Sequence, residues 1–270
     1  MKNYGLKLGA SNVTDYKWGT LSKVIVNPSG NWEQYLPNYE PQVLPDGRDP
    51  QSCWIWGSLN KLETYLKLLY PNDTWNLSER FVYNGLEASP NGGDPFECGE
   101  FVRRNGDVDE EVLPIGNTYD EFATPRPLTE ELKNKAKALL SLVTIKQEYV
   151  WNDFDHAITL LEKQRRITEA LKLDCVGVSL YAWEMDSNGL YYRPNNAPDT
   201  HWCFIFKESD EAYFVFDTYD HAIKKVRKDM DFSICIRYLV TKNIGVDKNS
   251  LLKQSLWCRI IAWLKKFYKL

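Results

Sequence analysis

The chain has 270 residues, a formal net charge of -4 and 43% hydrophobic content that includes 10 Trp, 16 Tyr and 11 Phe. That length suits one large domain or two lobes sharing a cleft, at ~100–200 residues per domain. The mildly acidic balance argues against nucleic acid as a partner, no apolar run approaches the ~18 residues of a transmembrane helix, and the N-terminus lacks a signal-peptide core.

Residues 1–50 are rich in Pro, Gly, Asn and Asp, with short strand-like pieces such as KVIV (23–26). A helix is expected over about 53–70, where Trp54, Leu59, Leu62, Leu66 and Leu69 recur at spacings of three and four and Pro71 stops the run. A turn-rich region follows to residue 127, containing NGG (91–93) and DPFECGEFVRRNG (94–106). TEELKNKAKALLS (129–141) reads as a helix with acid in its first turn. LVTIKQEYV (142–150) reads as a strand, and FDHAITLLEKQRRITEALKL (154–173) as one long amphipathic helix. Strand-like runs come next at 175–183, 202–207, 212–217 and 232–241. Helix and loop in the first half and antiparallel β in the second predict an α+β protein of two lobes, about 1–115 and 116–245. Residues 246–270 form a separate tail. Leu252, Leu256, Ile260, Trp263, Leu264 and Phe267 would share one helical face, and Lys253, Arg259, Lys265, Lys266 and Lys269 make the rest cationic. Such a helix packs on its own domain or on a partner, or lies in a membrane interface.

Six cysteines (53, 98, 175, 203, 235 and 258) are scattered without a CxxC pair, so neither a metal site nor a disulfide framework is expected. Cys175, Cys203 and Cys235 sit in apolar runs and read as small core residues. Cys53 instead opens a helix, where the dipole and unpaired N–H groups favour a thiolate nucleophile. A base must come from the three histidines. His156 lies in a helical pattern with Leu160 and Lys163 and reads as structural; His221 lies in a turn without an obvious orienting group. His201 opens a strand whose neighbour ends at Asp217. A hairpin turning near Glu208–Glu211 would bring those two ends together, giving Cys53, His201 and Asp217 as nucleophile, base and orienter.

The chain at this point resembles the papain-like cysteine peptidases. CW (53–54) with Glu63 ten residues on, LSERF (77–81), PNGGDPF (90–96) followed by a helix ending in NG (105–106), and VGVSLY (176–181) match that family's segments in order. His201 and Asp217 stand sixteen apart, and Asp-Thr-Tyr (217–219) takes the place of the family's Asn-Ser-Trp. The resemblance implies a papain-like fold, a helical lobe carrying the nucleophile and a β lobe carrying His201 and Asp217, with no metal or organic cofactor. It also implies that a glutamine upstream of the cysteine helps hold the oxyanion. Gln42 and Gln51 both qualify, with Gln42 the better placed because Gln51 is so near Cys53. Gly92 and Gly93 would line the substrate cleft, and Tyr219 would cover the His201–Asp217 contact. Pro50 and Pro90 stand where a family disulfide would place cysteines, which fits a reducing compartment. Only 52 residues precede Cys53, so the long inhibitory prosegment of many members is expected to be missing.

Glu40, Gln42, Cys53, Leu59, Asn60 and Glu63 form a pattern similar to papain-type domains of tailed bacteriophages. That resemblance implies a virion or host-cytoplasm location, with virion structural proteins or peptide cross-links as substrates. Two alternatives remain at this point. One is a papain-like fold serving as a structural or binding component of a virion; the other is an amidase or acyltransferase acting on peptidoglycan-type peptides.

Overall fold

A computed structural model describes residues 5–11, 16–194 and 197–244. The sequence motif that opens helix α1 (Cys53–Leu69) sits at the centre of the molecule. Every residue of α1 from Cys53 to Leu66 is buried, including the polar Asn60, Lys61, Glu63 and Thr64. A helix covered on all sides belongs in a core rather than on a surface. Its polar groups are answered internally: Lys61 Nζ donates to Asp174 Oδ2 at 2.5 Å, and Glu63 Oε1 accepts from the Leu77 N–H at 2.6 Å.

Local sequence sets the next elements. Ser78 caps α2 (Glu79–Gly85) by accepting from the Phe81 N–H, and Asp94 caps α3 (Pro95–Asn105), which has Pro95 in its first turn. A short α4 (Tyr119–Phe122) precedes α5 (Glu130–Leu142), capped by Thr129. The expected single helix over 154–173 is two: α6 (Asp153–His156), capped by Asn152, and α7 (Leu160–Leu171), capped by Thr159. Thr159 starts a helix of its own by accepting from the Glu162 N–H, and this cuts the apolar pattern. His156 is exposed at the end of α6, apart from Lys163 on α7.

The strands are β1 (Val143–Asn152), β2 (Val176–Leu180), β3 (Glu184–Met185), β4 (Tyr191–Tyr192), β5 (His201–Glu208), β6 (Ala212–Phe216), β7 (Ile223–Arg227) and β8 (Ile234–Lys242). They form one eight-stranded sheet in the order β1-β8-β2-β5-β6-β7-β4-β3, antiparallel except where β4 meets β7. This is the expected α+β architecture. KVIV (23–26) is not a strand. Val24 and Ile25 are exposed, and the N–H groups of Val26 and Asn27 donate to the Lys172 carbonyl at the end of α7. β-Branched residues made that segment strand-like, but no sheet edge is there to pair with it. The cationic tail at 246–270 lies outside the described residues. Among the described residues no helix is long and apolar enough to cross a membrane.

Helix α1 meets the sheet at β5. A side chain on Gly57 would stand 3.1 Å from the Trp202 carbonyl oxygen and 3.4 Å from Cys203 Cα. Gly57 lets the two backbones touch one turn after Cys53 and one residue after His201. The closeness of helix and strand fixes where the thiol and the imidazole stand.

Candidate active site

Cys53 is buried at the first position of α1. The backbone N–H groups of Trp202 and Trp54 reach its sulfur and pull its pKa down, but burial comes first and outweighs them, and the charges of Asp49 and Asp217 add to it. Burial thus pushes the thiol above its ordinary range despite these two N–H groups.

His201 begins β5 and is fully buried. Its Nε2 lies 2.5 Å from Asp217 Oδ1, at the end of β6, which puts Nδ1 on the opposite edge of the ring. The hairpin brings the two together: β5 and β6 pair antiparallel with Phe204 opposite Phe216. Trp183 and Tyr219 meet the imidazole edge-on from either side, with centroids at 5.6 and 5.3 Å.

Asp217 has no exposed side-chain surface. Burial raises its pKa, yet His201 and Lys224 pull harder, and the carboxyl is held below the usual range. Thr218 N–H donates to Oδ1 at 2.8 Å and Lys224 Nζ to Oδ2 at 2.5 Å. Lys224 was not legible as a site residue, since IKKVR (223–227) has no strand-like run of apolar residues. It lies on β7, is buried, and also donates to the carbonyls of Asp220, His221 and Tyr219 at 2.6, 3.1 and 3.2 Å. His221 is exposed in that turn with φ +63.

Gln42 is fully buried. Its Nε2 donates to Asp49 Oδ1 at 2.8 Å and to the Tyr219 hydroxyl at 2.7 Å, and that hydroxyl donates to Asp49 Oδ2 at 2.6 Å. Gln42 and Tyr219 thus meet directly and share Asp49, a residue the sequence reading did not single out. Gln51 stands apart, with its backbone in the left-handed region and its N–H bonded to Asp49 Oδ1.

Gly93 leaves no space above it, because a Cβ there would stand 2.4 Å from the Trp54 indole. Its N–H donates to the Gly5 carbonyl and its carbonyl accepts the Lys7 N–H, both at 3.0 Å, so Leu6 pairs with Gly93 as a parallel bridge. The chain's own residues 5–7 occupy the edge at which an incoming strand was expected to pair. Gly5 also packs on the Gln51 carbonyl, where a Cβ would stand 1.7 Å from the oxygen, and Gly92 on Gly5.

Cys53, Cys98, Cys175, Cys203 and Cys235 are free thiols and buried. Among the described residues no group of three or more His, Cys, Asp or Glu side chains is placed to hold a metal ion.

No protein-family model matches the sequence, and no curated protein matches it. Solved structures do match. The digestive procathepsin L2 proteinase of Tenebrio molitor larval midgut aligns with TM-score 0.61 at 16% identity, over 88% of this chain and 78% of that one. Xylellain, a cysteine protease from Xylella fastidiosa, aligns with TM-score 0.56 at 15% identity, over 89% of this chain and 96% of that one. A recombinant stem bromelain precursor gives 0.55 at 16% identity, over 90% and 78%. At such identities the likeness speaks to architecture, and what it establishes is that this chain has the fold of the papain-like cysteine proteases.

Proposed function

We propose that the protein is a cysteine peptidase in which Cys53 is the nucleophile, His201 moves the proton and Asp217 orients His201. The observation that carries the reading is the buried 2.5 Å contact between His201 Nε2 and Asp217 Oδ1, on the strand whose next N–H reaches the Cys53 sulfur. With Nε2 held by Asp217, Nδ1 takes the Cys53 proton and the thiolate adds to the substrate carbonyl carbon. The C–N bond breaks as the imidazolium protonates the leaving amine, leaving a thioester. Water then gives a proton to His201 and its oxygen attacks the thioester; the C–S bond breaks and the thiol re-forms. The Cys53 N–H and Gln42 Nε2 would meet the developing oxyanion. Both amide protons of Gln42 are engaged by Asp49 and Tyr219, so Gln42 reaches a substrate oxygen by giving one of them up.

A substrate strand can pair with Gly93 only after residues 5–7 leave. Lys7→Pro removes the N–H that donates to Gly93. A hydrogen bond of about 0.5–1.5 kcal/mol is lost. Alkylation of Cys53 by iodoacetamide should then run about 2- to 10-fold faster than in the unaltered protein, read by mass spectrometry.

The same reagent tests the central claim. Treated with a trace of iodoacetamide across pH 4–9, the Lys7→Pro protein should label first at Cys53. Burial pushes the thiols of Cys98, Cys175, Cys203 and Cys235 up as well, and none of them has an imidazole to take its proton in this reading; Cys175 faces the Asp174 carboxylate, which Lys61 already holds. Labelling that begins at Cys98, Cys175, Cys203 or Cys235, or that does not change at Cys53 in His201→Ala, would sink the peptidase reading and leave a papain-like fold used for binding. A phage or virion setting, with virion proteins or peptide cross-links as substrates, is the finer part of the proposal. It is supported by the Glu40, Gln42, Cys53, Leu59, Asn60 and Glu63 pattern alone.

A further inference from the structure

The Lys224 ammonium has almost no exposed surface and sits among four acceptors: Asp217 Oδ2 and the carbonyls of Tyr219, Asp220 and His221. It also stands 4.9 Å from the centre of the Trp183 ring, which itself meets His201 edge-on. A buried ammonium is costly unless a charge answers it, and a buried carboxylate likewise. Here each answers the other, and the imidazole lies against the far oxygen of the same carboxylate.

We propose that Lys224 is a positioning residue of the peptidase site: its ammonium neutralises Asp217 and ties down the turn carrying Tyr219, so that the carboxylate orients His201 without bringing net charge to it. The inference rests on the reading of Cys53 and His201 given above. A bare carboxylate close to an imidazole strengthens its hold on a proton by about 1–3 pH units. A general acid that holds its proton so tightly gives it up slowly to a leaving amine. The cation on the second oxygen removes much of that pull while keeping the 2.5 Å contact. Asp217 with Lys224 then behaves as a neutral acceptor, as an amide would.

Other titratable groups face the same space. Asp49 and Cys53 approach from the α1 side, and Asp220 and Tyr219 from the turn. The hydroxyls of Tyr39 and Tyr191 are held above their usual range by burial and by the Asp217 charge. Neither tyrosine supplies a cation, so the answer to Asp217 falls to His201 and Lys224.

The chain has three histidines, so in 15N-histidine NMR the His201 signals can be assigned by their loss in His201→Ala and followed through a pH titration. Lys224→Met should raise the His201 midpoint by about one unit or more. Lys224→Arg should leave it near the original value. Adding Asp217→Asn to Lys224→Met should bring it back, because an amide needs no counterion. A lysine that only supports the fold would lower the melting temperature without this pattern. If Lys224→Met does not fold, Lys224→Gln, whose amide can still donate to the turn carbonyls, carries the test: a raised midpoint supports the inference and an unmoved one overturns it. A midpoint that stays put in Lys224→Met, or that the second substitution does not restore, also overturns it. Iodoacetamide labelling of the unaltered protein and of His201→Ala, run in parallel, separates the two claims. Loss of His201-dependent labelling at Cys53 defeats the peptidase reading, whereas its persistence beside an unmoved midpoint defeats only the role of Lys224.

Discussion

Replacing His201 with alanine is expected to lower the rate of peptide hydrolysis by about 10²- to 10⁴-fold, the range over which a positioned acid–base group contributes. The variant should stay folded, because Asp217 keeps Lys224 and the Thr218 N–H as partners when the imidazole is gone. What disappears, in the proposed mechanism, is the group that takes the proton from Cys53, whose thiol is already pushed up by burial. The pH dependence of stability gives an internal check. Burial is outweighed at Asp217, so its folded carboxyl lies below the unfolded one. Its contribution is fully present above the ordinary carboxylate range and is lost as pH falls through the lowered value. His201 is the first of the groups that lower it, so in His201→Ala the acid loss from Asp217 should be smaller and complete at higher pH. Thermal melts between pH 2 and 7 would show it. A variant that keeps hydrolysing peptides within a few-fold of the original rate excludes His201 as the base.

Lys61→Ala should have the largest effect on stability. Lys61 on α1 and Asp174 before β2 are buried to 1% and 0% exposure, and the Lys61 ammonium lies 3.3 Å from the centre of the Tyr238 ring. Asp174 also accepts the Tyr238 N–H at 2.6 Å, so three parts of the chain close on one carboxylate. Even with Lys61 in place, burial keeps this carboxyl above its usual range. Removing the cation leaves an uncompensated buried charge, at about 3–5 kcal/mol. For a chain of this size that lowers the melting temperature by about 6–20 °C. The deficit should shrink as pH falls to about 4, where Asp174 begins to protonate in the unfolded chain too. Lys61→Met combined with Asp174→Asn should recover much of the loss. A melting temperature within a degree or two of the original for Lys61→Ala would mean that water reaches Asp174.

Much of the fold was legible because its signals are local. Pro71 marks the end of α1 and the acidic first turn marks α5, whereas α2 and α4 lie inside the region 71–127 that reads as turn-rich, because they are too short to show a period. The apolar runs at 202–207 and 212–217 lie on β5 and β6, so the meeting of His201 and Asp217 followed from a short hairpin turn. β7 was not legible, and the reason is chemical. Its inward positions are Lys224 and Val226, so the alternation that marks a half-buried strand is broken by an ammonium. The residue that hid the strand is the one that answers Asp217. Asp49 escaped notice because it lies in the Pro-, Gly- and Asp-rich stretch before Cys53, and only the folded chain shows its two oxygens bonded to Gln42 and Tyr219. The pairing of Leu6 with Gly93 joins residues far apart in sequence through backbone groups, which no side-chain pattern records.

The contact at Gly57 has a mechanical consequence. Gly57 lies against the Trp202 indole as well as the Trp202 carbonyl and the Cys203 Cα, so the helix and β5 have little room to slide past one another. A thermal displacement of the strand carries the helix along with it. The thiol and the imidazole, which begin this helix and this strand, are therefore expected to be displaced together by a swing of the surrounding sheet.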